Sequence, residues 1–182
     1  MRLFAAVEPP AEAVTHLDAV VAGVRDGALR WSEPAGWHLT LAFYGQVAED
    51  KVPELTERLE RAARRHPPTR ARIAGAGRFG TAVLWAGVDG DGVVLRALAG
   101  SVRAAGRRTG VGHEDTQRFR PHVTLARARG AADLRPYVER LAGYEGPEWA
   151  ADTVRLLRSH PGGPGRGPRY EPLATFPLRG AR

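Results

Sequence analysis

The chain has 182 residues, a formal net charge of +7 and no cysteine; 43% of its residues are apolar and 26% are charged. This composition is typical of a folded globular protein, and the lack of cysteine excludes disulfides, thiolate nucleophiles and cysteine-ligated zinc. No apolar run approaches the roughly 20 residues that a membrane-spanning helix needs. Residues 3–7 are too few for the apolar part of a signal peptide, so we expect no membrane partner and a cytoplasmic location.

The positive charge comes almost entirely from arginine, because Lys51 is the only lysine. A basic chain suits a polyanionic partner such as RNA. A chain rich in arginine, alanine and glycine is equally what a GC-rich genome encodes without selection for any ligand. Charge alone therefore leaves both explanations open.

The first half of the chain predicts alternating strands and helices. Residues 2–7 form an apolar run that ends at Pro9 and Pro10, which cannot donate to a strand ladder. Apolar residues then recur at helical spacing in two segments, while β-branched residues and alternation mark the strands. The predicted elements are a strand at 2–7, a helix at 11–25, a strand at 37–43 closed by Gly45, a helix at 49–66, and strands at 70–76 and 83–88.

The second half of the chain repeats this alternation and ends in a predicted edge strand. Residues 161–168 are dense in glycine and proline and predict a loop. Pro172 and Pro177 are tolerated in the last strand only if it lies at a sheet edge. The predicted elements are a helix at 93–107 that stops near Gly106 or Gly110, a strand at 119–127, a helix at 131–141, and strands at 149–157 and 170–178.

The order strand, helix, strand, helix thus occurs approximately twice. Its period is far longer than that of solenoid repeats, so the duplication of one lobe fits better than an array. We expect an α+β protein with two antiparallel or mixed sheets and the helices on the outside. No linker is rich enough in flexible residues to separate independent domains.

A short motif occurs once in each half, and its two histidines are 84 positions apart. In a strand, residues two apart project from the same face, so each copy presents an imidazole and a hydroxyl on one face and two apolar side chains on the other. Two such strands facing each other would surround a small space with two imidazoles and two hydroxyls. The two copies are His38-Leu39-Thr40-Leu41-Ala42 and His122-Val123-Thr124-Leu125-Ala126.

These residue types suit the cleavage of a phosphodiester. Histidine titrates near neutral pH, so one neutral and one protonated imidazole can act as base and acid in the same reaction. Threonine hydroxyls can donate to phosphate oxygens, and the phosphate charge can be met by a protonated histidine and an arginine. The pattern therefore requires no metal and no cofactor.

The paired motifs resemble the H-x-T-x signatures of the two-histidine phosphoesterase superfamily. Within it, the chain is most similar to the RNA 2′,3′-cyclic phosphodiesterase family, also described as 2′-5′ RNA ligases. One H-x-T-x motif is a weak signal, but two with matching flanks are strong. Residues outside the motifs that contribute to the resemblance are Arg2 to Val7, Trp37, Phe79, Leu84, Trp85, Phe119, Arg120, Pro121, Leu157, Ser159 and Tyr170.

The resemblance implies a single domain over residues 1–182, with two pseudo-symmetric lobes that face a central cleft. It implies hydrolysis of a terminal 2′,3′-cyclic phosphate on RNA or a nucleoside to a 2′-phosphate, without a metal. His38 would then protonate the departing 3′ oxygen, and His122 would take a proton from water. Thr40 and Thr124 would bind the phosphate oxygens.

Phe43 and Arg127 occupy equivalent positions after the two motifs. By the resemblance, Arg127 would add positive charge to the phosphate site, and Phe43 could stack on the terminal base. Both lie five residues after their histidines, which in a regular strand is the opposite face. A bulge or a strand end is therefore needed to turn them into the cleft.

Other functions remain open from the sequence. The chain could bind RNA or nucleotides without turnover, or it could act on 2′-5′ linkages or on an ADP-ribose cyclic phosphate. Ligation could occur as the reverse reaction, because the same acid and base would exchange roles. We expect RNA 3′ ends or nucleoside 2′,3′-cyclic phosphates as partners and a monomeric protein.

Overall fold

The computed structural model describes residues 1–113 and 117–180, which contain nine β-strands and four α-helices. Every predicted strand and helix has a counterpart among them. The strands are β1 (Arg2–Val7), β2 (Leu29–Trp31), β3 (Leu39–Gln46), β4 (Thr69–Phe79), β5 (Val83–Gly90), β6 (His122–Ala128), β7 (Glu145–Ala151), β8 (Thr153–His160) and β9 (Arg169–Pro177). The helices are α1 (Ala11–Ala22), α2 (Val52–Arg64), α3 (Gly92–Thr109) and α4 (Arg135–Leu141).

The strands form one sheet in the order β7-β4-β5-β6-β3-β1-β8-β9, with β2 also paired to β6. All of the strand pairs are antiparallel. The first half-sheet consists of β3, β1, β8 and β9, and the second of β7, β4, β5 and β6. At the centre, β3 and β6 meet through the single register pair Leu39 and Val123.

The two halves of the chain exchange strands. The order β1-α1-β3-α2 is followed later by β5-α3-β6-α4, as the repeated pattern predicts. Strand β4, which follows α2, nevertheless pairs with β5 in the second half-sheet, and β8 pairs with β1 in the first. Each half-sheet therefore contains strands from both halves of the chain.

The helices cover one face of the sheet. Helices α2 and α3 pack on the first half-sheet, and α1 and α4 pack on the second. Their apolar residues, such as Leu17, Leu59 and Leu98, are fully buried in one continuous core with the strand residues beneath them. A smaller apolar cluster of Phe4, Ala6, Leu157 and Tyr170 lies on the opposite face. We call that opposite face the cleft face.

The structure confirms the α+β class with helices outside antiparallel strands, but the strands form one continuous sheet in place of the two expected, and most element boundaries shift by a few residues. The predicted strand at 149–157 is two strands, β7 and β8, which break at Asp152 and lie in different half-sheets. The helix predicted at 49–66 begins with a 3-10 turn at Glu49–Lys51, and the helix predicted from 131 begins at Arg135. In the described part of the chain, no helix is long and apolar enough to cross a membrane.

Candidate active site

The two His-Thr motifs meet where β3 and β6 pair. Leu39 and Val123 are partners in an antiparallel register, and both are buried on the helix-covered face. In that register, the next residues on either side oppose each other as well, so His38 faces Thr124 and Thr40 faces His122. All four are only partly buried, in contrast to the two apolar partners. The imidazoles and hydroxyls therefore share the cleft face at the junction of the half-sheets.

Both imidazoles are held by the same backbone contact. Nδ1 of His38 lies 2.7 Å from the carbonyl oxygen of Gly36, and Nδ1 of His122 lies 2.6 Å from that of Arg120. A carbonyl oxygen can only accept, so Nδ1–H is the donor in each pair. In the neutral ring, Nε2 is then the basic nitrogen, and in the charged ring it is an acid. Each histidine thus offers its Nε2 for proton transfer.

Burial lowers the pKa of both histidines. For His38 and for His122 the largest cause is desolvation of the charged ring, which the tethering carbonyl opposes. The positive charge of His122 lowers the pKa of His38 further. The two rings are therefore electrostatically coupled, and protonating one disfavours protonating the other.

Two aromatic rings hold His38 in place. Its ring centroid lies 4.8 Å from that of Phe4 and 5.0 Å from that of Tyr170, which meets it edge-on at 82°. The Tyr170 ring also lies against Gly36, where an added Cβ would come within 3.2 Å of it. Tyr170 therefore contacts both the imidazole and the residue whose carbonyl fixes that imidazole.

Two other aromatic rings hold His122. Its centroid lies 4.8 Å from that of Phe79, at 85°, and 5.9 Å from that of Trp85. The Trp85 ring lies directly across Gly77, where a Cβ would come within 2.3 Å of it. This contact is possible only because Gly77 has no side chain.

Sequence reasoning did not assign these four aromatic residues to the site. All four residues contribute to the resemblance, but the resemblance gives them no role. They lie on four different strands, and the motifs do not reveal how those strands pair. Phe4 lies on β1, Tyr170 on β9, Phe79 on β4 and Trp85 on β5. An aromatic side chain at each of these positions is visible in the sequence, whereas its place beside a histidine depends on the sheet order.

Two bulges turn Phe43 and Arg127 to the cleft face. Between the partners of Ala5 and Ala6, β3 has one extra residue, Leu41. Between the partners of Leu84 and Trp85, β6 has one extra residue at the equivalent position, Leu125. Each strand therefore contains two consecutive buried residues after its threonine and then an exposed one. In a regular strand, both side chains would point away from the cleft, and in each strand the bulge turns the side chain to the cleft face.

The side chains after the bulges differ in chemistry. Phe43 is 64% exposed, and its ring centroid lies 6.0 Å from that of Phe4 beside His38. Arg127 is also exposed. Burial raises the pKa of the Tyr170 phenol, and the positive charges of Arg127 and Arg2 lower it in turn. Arg127 is therefore within electrostatic reach of the aromatic side chain that packs on His38.

Together these groups can transfer protons and bind an anion. Two imidazoles and two hydroxyls lie at the junction and the Arg127 guanidinium lies further along β6, and these groups suit an oxyanion such as phosphate. Among residues 1–113 and 117–180, no three His, Cys, Asp or Glu side chains lie close enough together to hold a metal ion. An antiparallel sheet that joins two such His-Thr strands on one open face defines the class of two-histidine phosphoesterases.

Comparison with known proteins identifies the family within that class. The family model described as the 2′-5′ RNA ligase superfamily matches residues 6–163, and the chain belongs to this superfamily. It is 35% identical to a Thermus thermophilus protein named RNA 2′,3′-cyclic phosphodiesterase, over 99% of this chain and 91% of that protein. It is 37% identical to an Aeropyrum pernix protein of the same name, over 69% and 72% of the two chains.

Solved structures show the same fold. A Thermus thermophilus crystal structure superposes with a TM-score of 0.82 at 32% identity and covers 100% of both chains. The crystal structure of Escherichia coli LigT complexed with 3′-AMP superposes with a TM-score of 0.80 at 28% identity, over 97% of both chains. The similarity therefore extends across both half-sheets and includes both motifs.

Proposed function

We propose that this protein hydrolyses the 2′,3′-cyclic phosphate at RNA 3′ ends, or on nucleosides, to a 2′-phosphate. The observation that carries the proposal is the pair of tethered imidazoles, His38 and His122, beside each other's threonines at the β3–β6 junction. The names of the relatives support the substrate, because the Thermus thermophilus and Aeropyrum pernix proteins are both called RNA 2′,3′-cyclic phosphodiesterase. The complex of LigT with 3′-AMP supports a nucleotide as the ligand.

In the proposed reaction, water adds to the phosphorus atom and the bond from phosphorus to the 3′ oxygen breaks. Nε2 of His122 takes the proton that water loses, and Nε2–H of His38 gives a proton to the departing 3′ oxygen. The product has a free 3′ hydroxyl and a 2′-phosphate. After the reaction His122 is protonated and His38 is neutral, which is the reverse of the starting state. Proton exchange with solvent restores the starting state and completes the cycle.

The surroundings of the two rings support this division of roles. Phe4, against His38, is 3% exposed, whereas Phe79, against His122, is 37% exposed. Water therefore has easier access to the ring that we propose as the base. Because burial lowers the pKa of His38, we propose that the negative phosphate raises it again on binding and keeps the acid protonated.

We propose that Thr40 and Thr124 donate to the phosphate oxygens from opposite sides of the junction. Arg127 adds charge at the same phosphate, while Phe43 offers its exposed ring to the terminal base. We further propose that residues 1–182 act as one bilobal domain, that the protein is a cytoplasmic monomer, and that the reaction requires no metal.

The test is incubation of the purified protein with an oligoribonucleotide that ends in a 2′,3′-cyclic phosphate, with and without EDTA. Phosphorus-31 spectroscopy identifies the position of the phosphate in the product. We expect a 2′-phosphate and equal rates in both conditions. A 3′-phosphate product would contradict the assigned direction of cleavage, and loss of turnover with EDTA would contradict the mechanism. Binding without turnover would make the protein a nucleotide-binding module.

A further inference from the structure

A polar cavity lies on the second half-sheet, away from the two histidines. Its volume is about 280 Å³, close to the lower end of the range for small-molecule pockets, about 300 Å³. Two arginines and two acidic residues supply its polar groups, and Ala71 and Gly90 complete the lining. The four charged residues are Arg70, Arg72, Asp89 and Glu148.

Strand register places this cavity on the cleft face. Arg72 on β4 pairs with Asp89 on β5 and with Glu148 on β7, so the three form one row across neighbouring strands. Their neighbours Ile73 and Val88 are buried against the helices, so the row points the other way. It therefore lies on the same side of the sheet as the histidines.

The row is also close to the proposed catalytic centre. His122 pairs with Gly87, and Asp89 is two residues further along β5. With a rise of about 3.3 Å per residue and strands about 4.8 Å apart, the Cα of Asp89 lies about 8 Å from that of His122, and the Cα of Arg72 about 12 Å. A nucleotide adjoining the one that carries the cyclic phosphate can reach that far.

One donor in the row is unpaired. Nε of Arg72 is buried and has no hydrogen-bond partner among the described residues. Arg70, by contrast, forms an ion pair with Glu148 at 3.5 Å. Buried donors in native proteins are nearly always bonded, so an unpaired one indicates a missing partner.

The mixture of charges restricts what that partner is. Asp89 and Glu148 repel an anion such as a second phosphate, and the arginines repel a cation. A neutral group with acceptors beside donors satisfies both signs. Guanine offers this pattern, because its O6 and N7 accept from arginine while its N1–H and N2–H₂ can donate to a carboxylate.

We propose that this cavity binds a guanine base immediately 5′ of the nucleotide that carries the cyclic phosphate. The proposal rests on the proposed function, since it concerns the RNA held at the same site. Arg72 donates to O6 and N7, and Asp89 accepts from N1–H and N2–H₂. Glu148 keeps its ion pair with Arg70, so that Arg70 does not contact the base, and its negative charge balances the charge of the cavity.

The test compares four dinucleotides that end in uridine 2′,3′-cyclic phosphate and differ only in the first base. Uridine 2′,3′-cyclic phosphate alone is the reference, because it does not reach the cavity. For the wild-type protein we expect kcat/KM to be about 5- to 150-fold higher with guanine than with the other bases. Arg72→Gln and Asp89→Asn should each remove most of this preference and leave the rate on the mononucleotide unchanged.

Arg96→Gln, at an exposed position of α3, is the matched control and should retain the preference. Equal rates for the four dinucleotides, a preference for another base, or a guanine preference that survives both cavity substitutions would overturn the proposal. These results are distinct from failure of the proposed function, in which the wild-type protein hydrolyses neither the mononucleotide nor any of the four dinucleotides, and the base-site proposal is then rejected as well.

Discussion

The half-site around His38 and the half-site around His122 have the same backbone and different side chains. In each, the imidazole donates Nδ1–H to a carbonyl two residues earlier, and a bulge follows the threonine. In the first half-site the histidine packs on the buried Phe4, and in the second on the more exposed Phe79. The backbone therefore positions two equivalent nitrogens, and the surrounding side chains make them unequal.

The largest effects are expected from removing either imidazole. Because each is proposed to transfer a proton in the same step, His38→Ala and His122→Ala should each lower kcat about 10²- to 10⁴-fold. Steady-state rates on uridine 2′,3′-cyclic phosphate measure this. His16→Ala is the matched control, since His16 contacts Tyr144 instead of the site and its loss should leave kcat nearly unchanged. Full activity in either site variant would contradict the paired mechanism.

The residues after the bulges should have separable effects. Arg127→Gln should lower kcat/KM about 10- to 10²-fold on every substrate, because it removes a charged contact to the phosphate. Phe43→Ala should lower it about 5- to 150-fold on nucleoside substrates, through lost stacking. A ribose 2′,3′-cyclic phosphate without a base distinguishes the two, since only Arg127→Gln should slow its hydrolysis. Equal losses on that substrate would remove the proposed difference between the half-sites.

The sequence predicts the elements of these half-sites better than their assembly. Alternating apolar residues indicate β3 and β6, and the paired motifs indicate the four polar groups. The resemblance predicts a bulge or a strand end after Thr40 and Thr124, because the fifth residue after each histidine must turn to the cleft. It does not locate the bulge, because an apolar pair such as Leu41 and Ala42 also fits a regular strand. The residues on both sides of Asp152 are mostly apolar, so the segment 149–157 also fits a single strand, and only the pairing of β7 and β8 with distant strands reveals the break.

Glycine substitutions should perturb the second half-site more than the first. A Cβ at Gly77 would come within 2.3 Å of the Trp85 ring, so Gly77→Ala must displace the ring beside His122. A Cβ at Gly36 would come within 3.2 Å of Tyr170, which a small shift relieves. We expect kcat to fall about tenfold in Gly77→Ala and only a few-fold in Gly36→Ala, on the scale of a misplaced catalytic group. Near-ultraviolet circular dichroism should show the altered Trp85 environment.

The smallest expected effect is a shift in the pH optimum. Burial lowers the pKa of both histidines from the ordinary value of 6.5. In the free enzyme, the proposed acid, His38, therefore loses its proton at a pH below 6.5. The value of kcat/KM should therefore peak below about pH 6.5 and fall as pH rises, with limits that belong to the coupled pair. A profile of kcat/KM against pH measures this. An activity that still rises between pH 7 and 8 would contradict the lowered pKa values.

The most direct test of unequal roles uses a uridine 2′,3′-cyclic phosphate in which sulfur replaces the 3′ oxygen. Thiols ionise near pH 8.5, so a thiolate departs without a proton from an acid. The ratio of kcat for this substrate to kcat for the oxygen substrate should rise strongly in His38→Ala and should not rise in His122→Ala. A selective rise in His122→Ala would reverse the roles, and no rise in either variant would contradict acid catalysis by His38.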